Sequence, residues 1–278
     1  ASTNAAAEIQ FAIAYGNEYG YGSAYYNSAV PGVSPTRTTY GQYRTLVLGD
    51  ENADFIFGGV VSPEFWVISV DRNRYKQSLL PGSITLILSG SGTKKISLTD
   101  DSLVESTVVF NDAGRVYQLI SGSQGARVGT TGYNQGGFGS YGWLLPDIGT
   151  ILLNADAICD DLAVALNLSN TNGNNSGILF SLLGPGRNFT LNSQETISSD
   201  YIFIRARNAE FNYSENPSFI SGSTGAVLFP QFINNPQTYI TTIGLYNDTN
   251  QLLAVAKLSR PLSKNFTKEA LIRVKLDF

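Results

Sequence analysis

Thr238-Tyr-Ile-Thr-Thr-Ile-Gly-Leu-Tyr246, then Asn247-Asp-Thr-Asn250, then Leu252-Leu-Ala-Val-Ala-Lys-Leu258 is the stretch that decides the fold. The first run is rich in Thr, Ile and Tyr, residues that suit a pleated, half-buried strand. Asn and Asp bond their own backbone and tolerate left-handed conformations, so residues 247–250 predict a turn. Leu252–Leu258 predicts the returning strand of a hairpin. Pro261, which has no N–H to donate, is expected to end that pairing. Beyond it the chain alternates: Leu271, Arg273, Lys275 and Asp277 fall on one parity, Ile272, Val274, Leu276 and Phe278 on the other. That is the period of a closing strand with one buried face. No residue type in this stretch points to catalysis.

The same pattern extends upstream. Short apolar runs at 55–61, 64–71, 149–153, 178–183, 188–191 and 201–208 predict strands, as does 8–15 at the start. Runs 83–88 and 94–98 flank Ser89-Gly-Ser-Gly-Thr93, and runs 106–110 and 115–121 flank Asn111-Asp-Ala-Gly114, two further hairpin signals. Ser34-Pro35 predicts a short helix: Ser34 can cap free N–H groups, Pro35 fits the first helical position, and Tyr40, Tyr43 and Val47 share a face. A second helix is predicted over 156–166. The expected fold class is mainly β, with sandwich or barrel-like modules, one or two short helices and long Gly/Tyr-rich loops. Three segments are expected: 1–60 with a strand, a Tyr/Gly-rich arm and the short helix; 61–141 as a β module; and 142–278 as a C-terminal β module ending in the hairpin and closing strand.

Composition narrows the chemistry. The 278 residues include no His, no Met and one Cys, which removes Ser-His-Asp and Cys-His arrangements, His-ligated metals and cysteine zinc clusters. Cys159 stands beside Asp160 and Asp161, whose charges would raise its thiol pKa and make it a poor nucleophile. Carboxylate pairs at Asp100-Asp101 and Asp160-Asp161 admit a glycosidase reading, but adjacent acids beside turns are more simply turn residues. Asp50, Glu51 and Asp54 lack the spacing of a calcium loop. No phosphate-binding glycine motif is present. No cofactor and no metal are expected.

Charged residues make up 14% of the chain, against about a quarter in ordinary domains. Gly, Ser, Thr, Asn and Tyr supply the polarity instead, which suits a turn-rich β protein whose surface is covered by neighbours. The net charge is −4 without a basic stretch, so nucleic acid is not an expected partner. No apolar run reaches the length of a membrane span. Ala1–Ala7 lacks the basic region of a secretory signal. Tyr combines apolar area with a wet hydroxyl and is favoured at interfaces. Tyr19, Tyr21, Tyr25, Tyr26, Tyr133, Phe138 and Tyr141 stand in Gly-rich sequence and are the candidate interface anchors. A loop folded back on its own domain is the competing reading for the stretch 16–27, and a long Gly-rich stretch such as 121–142 is expected to carry a contact or a boundary.

Ile243-Gly-Leu-Tyr-Asn-Asp248 followed by Leu252-Leu-Ala-Val-Ala-Lys257 resembles a signature of tail and baseplate proteins of contractile-tailed bacteriophages. Phe211-Asn-Tyr-Ser-Glu-Asn-Pro-Ser-Phe219, Tyr239–Tyr246, Arg260-Pro-Leu262 and Leu271–Phe278 resemble baseplate-wedge-type virion proteins of T4-like marine phages. Gln42-Tyr-Arg44, Phe65-Trp-Val-Ile68 and Ile148-Gly-Thr-Ile-Leu152 fit the same pattern more loosely. The resemblance implies a non-enzymatic subunit that folds in the host cytoplasm and joins other tail subunits as a homo- or hetero-oligomer in the virion. Two alternatives stay open within the virion: a carbohydrate-binding or carbohydrate-cleaving tail component using Trp66 and Trp143 as sugar platforms, and a neck, fibre-attachment or capsid-associated subunit. A secreted non-viral adhesin is a third.

Overall fold

The structure, a computed structural model, describes residues 8–24, 34–184 and 189–277. The chain divides into two units, Ala1–Thr196 and Ile197–Phe278. The architecture is mainly β, as expected, and its principal sheet is a curled antiparallel half-barrel.

The first unit opens with β1 (Phe11–Asn17), α1 (Pro35–Leu48), β2 (Phe55–Phe57), β3 (Val60–Ser62) and β4 (Glu64–Val70). Next come β5 (Ser78–Leu79), β6 (Thr85–Ser89), β7 (Lys95–Asp100), β8 (Val109–Asn111), β9 (Gly114–Ser123) and β10 (Ala126–Arg127). β11 (Gly142–Leu145), β12 (Thr150–Asn154), α2 (Ala155–Leu162), α3 (Asn175–Leu183), β13 (Phe189–Thr190) and β14 (Ser193–Gln194) complete it. The main sheet runs β1-β4-β12-β11-β9-β7-β6-β13, with β8 and β10 also on β9.

Its central strands are apolar on both parities because both faces are covered. Trp66, Ile68, Leu144, Ile151 and Leu153 join one core, with Ile158 and Leu162 of α2 and Leu179 and Leu182 of α3. Phe65, Val67, Trp143, Leu145 and Leu152 join the other, with Tyr40 and Val47 of α1 and Phe55 and Phe57 of the β2–β3 hairpin. α1 forms as its sequence predicts: the Ser34 hydroxyl accepts the Arg37 N–H and Gly49 closes the helix in a left-handed conformation. It reaches 14 residues, longer than the short helix expected.

Several expectations change. The strand expected over 55–61 is a hairpin, because Gly58 and Gly59 both take positive φ and reverse the chain. The strand expected over 178–183 is helix α3: Asn174 accepts the Gly177 N–H as its cap, and Leu179 and Leu182 bury one helical face. The boundary expected at 141/142 falls inside the main sheet, since β11 pairs with β9 on one side and β12 on the other. Nor is 1–60 a separate segment, because β1 pairs with β4 over seven residues. The division lies at 196/197 instead.

The second unit contains β15 (Ser199–Ala206), α4 (Pro230–Asn234), β16 (Thr238–Tyr246), β17 (Leu252–Lys264) and β18 (Ala270–Asp277). β15 pairs with β18 and β16 with β17, giving two antiparallel ribbons. The hairpin and the closing strand are where the sequence places them, and burial along β18 alternates with the expected parity. Pro261 does not end the pairing. The four residues 258–261 stand opposite Thr241 in a bulge, and Leu262 resumes the ladder against Ile240. The core between the strands is small: Ile243, Ile272 and Val274 are buried, with Ile202, Ile204, Ile240 and Leu262 packed on them.

Candidate functional site

The aromatic anchors separate into three groups. Tyr19 and Tyr21 follow β1, where the Asn17 side-chain oxygen accepts both of their N–H groups, at 2.9 and 3.1 Å. Gly20 and Gly22 take positive φ between and after them. This knuckle turns both rings outward, 62% and 41% exposed, with centroids 6.3 Å apart. Tyr25 and Tyr26 lie outside the described residues. The other three belong to the loop 132–142, which is fastened to its own unit.

In that loop Asn134 is buried and donates to the Ala157 carbonyl and to Asp160. Asn154 donates to the carbonyls of Phe138 and Ser140. The Tyr141 hydroxyl donates to Asp161, and the ring is 4% exposed within the first core. Tyr141 therefore cannot grip a neighbour, and its anchor role is corrected: the loop needs its ring for the core and its hydroxyl for Asp161. Tyr133 is half-buried, and Phe138 is 37% exposed. The structure thus brings Tyr19 and Tyr21 together and keeps Tyr133, Phe138 and Tyr141 on a separate, tied loop.

The acidic pairs are occupied in the same way. Asp100 is fully buried and accepts the N–H groups of Gly82 and Ser102. Asp101 accepts the Gln118 N–H, and burial, with Asp100 and Glu105 nearby, pushes its carboxyl up to about 6. Asp160 and Asp161 hold the 132–142 loop, as above. Both Trp side chains stand in the cores, so neither offers a ring face to a sugar.

Sequence reasoning missed Glu64 and Asp156, which the fold brings together from distant segments. Glu64 is buried and accepts from the Tyr15 hydroxyl and, at 2.8 Å, from Asn17. The Ser62 hydroxyl donates to the Glu64 carbonyl and to Asp156. Burial raises the Glu64 carboxyl and the Asp156 charge adds to it, while the bonds from Tyr15 and Asn17 oppose both. A raised carboxyl beside a second one has the ingredients of an acid–base pair. Here Glu64 Oε2 is taken by Tyr15 and Asn17 of β1 and Asp156 Oδ2 by Ser62 at the β3–β4 turn, which fastens these segments together. Cys159, on α2, is pushed up to about 12 by burial and by Glu64 and Asp156. Among the described residues no group of three or more His, Cys, Asp or Glu is placed to hold a metal ion, and no helix is long and apolar enough to cross a membrane.

The second unit carries the feature that sequence reasoning did not single out. Tyr201, Phe203, Phe211, Tyr239, Leu253 and Leu271 are all exposed on it, around a small core centred on Ile243, Ile272 and Val274. A cleft of about 610 Å³ opens between its ribbons, lined by Ile204, Ile272, Phe211, Phe219, Phe232 and residues 237–243. The signal was present in β16, whose nine residues carry no charge on either parity. No protein-family model, curated protein or solved structure matches the chain.

Proposed function

We propose that the chain is a non-enzymatic structural subunit of a contractile phage tail, a component of the baseplate wedge, that works by binding other subunits in the virion. The observation that carries this reading is the second unit, where Tyr201, Phe203, Phe211, Tyr239, Leu253 and Leu271 are exposed around a small core. Two-stranded ribbons are marginal alone in water, and contiguous exposed apolar surface of this kind marks a protein interface. The stretches that most closely resemble baseplate-wedge proteins, 211–219, 239–246, 260–262 and 271–278, fall in that unit, and the looser matches at 42–44, 65–68 and 148–152 fall in the first. The paired Tyr19 and Tyr21 rings offer a second contact on the first unit. Asp100, Asp101, Asp160 and Asp161 hold turns and loops, which fits a subunit that keeps shape.

Gold-labelled antibodies raised against the chain test the placement on contractile-tailed particles. Labelling at the base of the tail supports the reading. Particles that carry no label anywhere, together with turnover of a polysaccharide by the purified chain, overturn it. The double substitution Tyr19→Ala, Tyr21→Ala is expected to leave the fold intact and reduce incorporation into particles.

A further inference from the structure

Seven consecutive residues, 237–243, line the cleft of the second unit. Successive side chains of a strand point to opposite faces, so a cavity that touches every one of them runs along the strand's edge. The other edge of β16 is taken by β17. Among the described residues no strand pairs with the edge that faces the cleft. Across the cleft stand Ile204, Ala206 and Ile272, from the inner side of the β15–β18 ribbon. The space is therefore where a further strand would extend the β16–β17 sheet and pack on that ribbon. No charged side chain lines it.

Proteins that stay solitary protect open strand edges with charge, proline or bulges. Three strands of this unit do so: β15 carries Asp200 and Arg205, β17 carries Lys257, Arg260, Pro261 and Lys264, and β18 carries Arg273, Lys275 and Asp277. β16 has neither charge nor proline in nine residues. The unprotected edge is also the one that opens on an apolar cleft.

We propose that this edge is a strand-pairing site for a second copy of the chain, β16 against the partner's β16, antiparallel about a two-fold axis. A two-fold axis uses one surface twice, so the edge need only be complementary to itself. An uncharged strand meets that condition, because like charges directly opposite are what destabilise such pairs. Two ribbons then become one four-stranded sheet, and backbone hydrogen bonds supply the affinity as in other strand-addition interfaces. The pairing deepens the assembly reading by naming a partner, and rests on it.

Sedimentation of the intact chain over a concentration series, with hydrogen exchange at residues 238–244, tests the pairing. The expected result is a dimer in which the amides of 238–244 that point away from β17 are protected when concentrated and lose protection on dilution. Thr241→Lys, which puts a charge on the uncharged pairing edge of each copy, should weaken the dimer about 100-fold or more. Its far-UV circular dichroism should be unchanged. Thr242→Lys serves if that variant does not fold. Val255→Lys, on exposed β17, should leave the dimer as it was. A parent chain that stays monomeric overturns the pairing, as does a dimer indifferent to both Thr substitutions. Protection of those outward amides that ignores concentration also overturns it, since the edge is then covered within one chain. A monomer that still joins tail particles refutes the self-pairing while leaving the assembly reading intact.

Discussion

Replacing Asp101 by Asn should make the protein more stable at pH 8 and change little at pH 3.5. Asp101 is buried, accepts the Gln118 N–H at 3.0 Å, and lies near Asp100 and Glu105. Burial comes first among the causes that lift its carboxyl from 3.8 to about 6. A folded-state pKa above the unfolded one means that the native state holds the proton more tightly. The contribution of this group is therefore most favourable at low pH and is lost as pH rises from about 4 through about 6. One pKa unit corresponds to ~1.4 kcal/mol, so the full displacement amounts to ~3 kcal/mol. Water that reaches the side chain reduces this to ~1–2 kcal/mol. Asn keeps an oxygen for the Gln118 N–H and never ionises, so Asp101→Asn removes the penalty without removing that bond. Urea unfolding at pH 3.5 and pH 8 measures the difference through the midpoint at constant slope. A variant no more stable than the parent at pH 8, or one shifted equally at both pH values, refutes the reasoning.

Phe65→Ala should cost about 3–5 kcal/mol, read as a large drop in thermal midpoint, because Phe65 is fully buried against Phe55 and Tyr40 at centroid distances of 4.6 and 5.3 Å. Tyr141→Phe keeps the ring and leaves Asp161 without that donor, so a loss of about 1–2 kcal/mol is expected with faster hydrogen exchange in the 132–142 loop. Asn174→Ala, at the cap of α3, should cost about 1 kcal/mol in denaturant unfolding. Lys264→Met removes a buried ammonium that donates to the carbonyls of Asn208 and Glu210 and to the Asn212 side chain. Proteolysis should then cut the 207–212 loop sooner, while the first unit unfolds as before.

The strands were legible wherever one face is buried, because period-two alternation records burial directly: β18 is the clearest case, and β16 with its Asn247–Asn250 turn follows. Ser34-Pro35 and Gly49 marked α1 at both ends. The run 178–183 misled because a short, wholly apolar stretch has no period, and only the Asn174 cap told for a helix. The expected boundary at 141/142 failed for a related reason. Glycines at 132–142 look like a linker, but the contacts that tie them down come from Asn154, Asp160 and Asp161, residues further along the chain that find them only after the sheet forms. Glu64 and Asp156 were invisible for the same cause, being 92 positions apart by their numbers. The cleft was half legible: the lack of charge in 238–246 is there to be read in the sequence, though it was passed over, but the open edge is a fact of topology.

The sealed thiol of Cys159 has a practical side. With a pKa near 12 almost none of it is thiolate at neutral pH, and the thiolate is the form that attacks disulfides and electrophiles. A protein built this way resists cross-linking through sulfur in aerated water. It also leaves an engineered surface cysteine as the only reactive handle, so a dye or spin label can be attached at Tyr19 or Thr241 without first removing the natural residue.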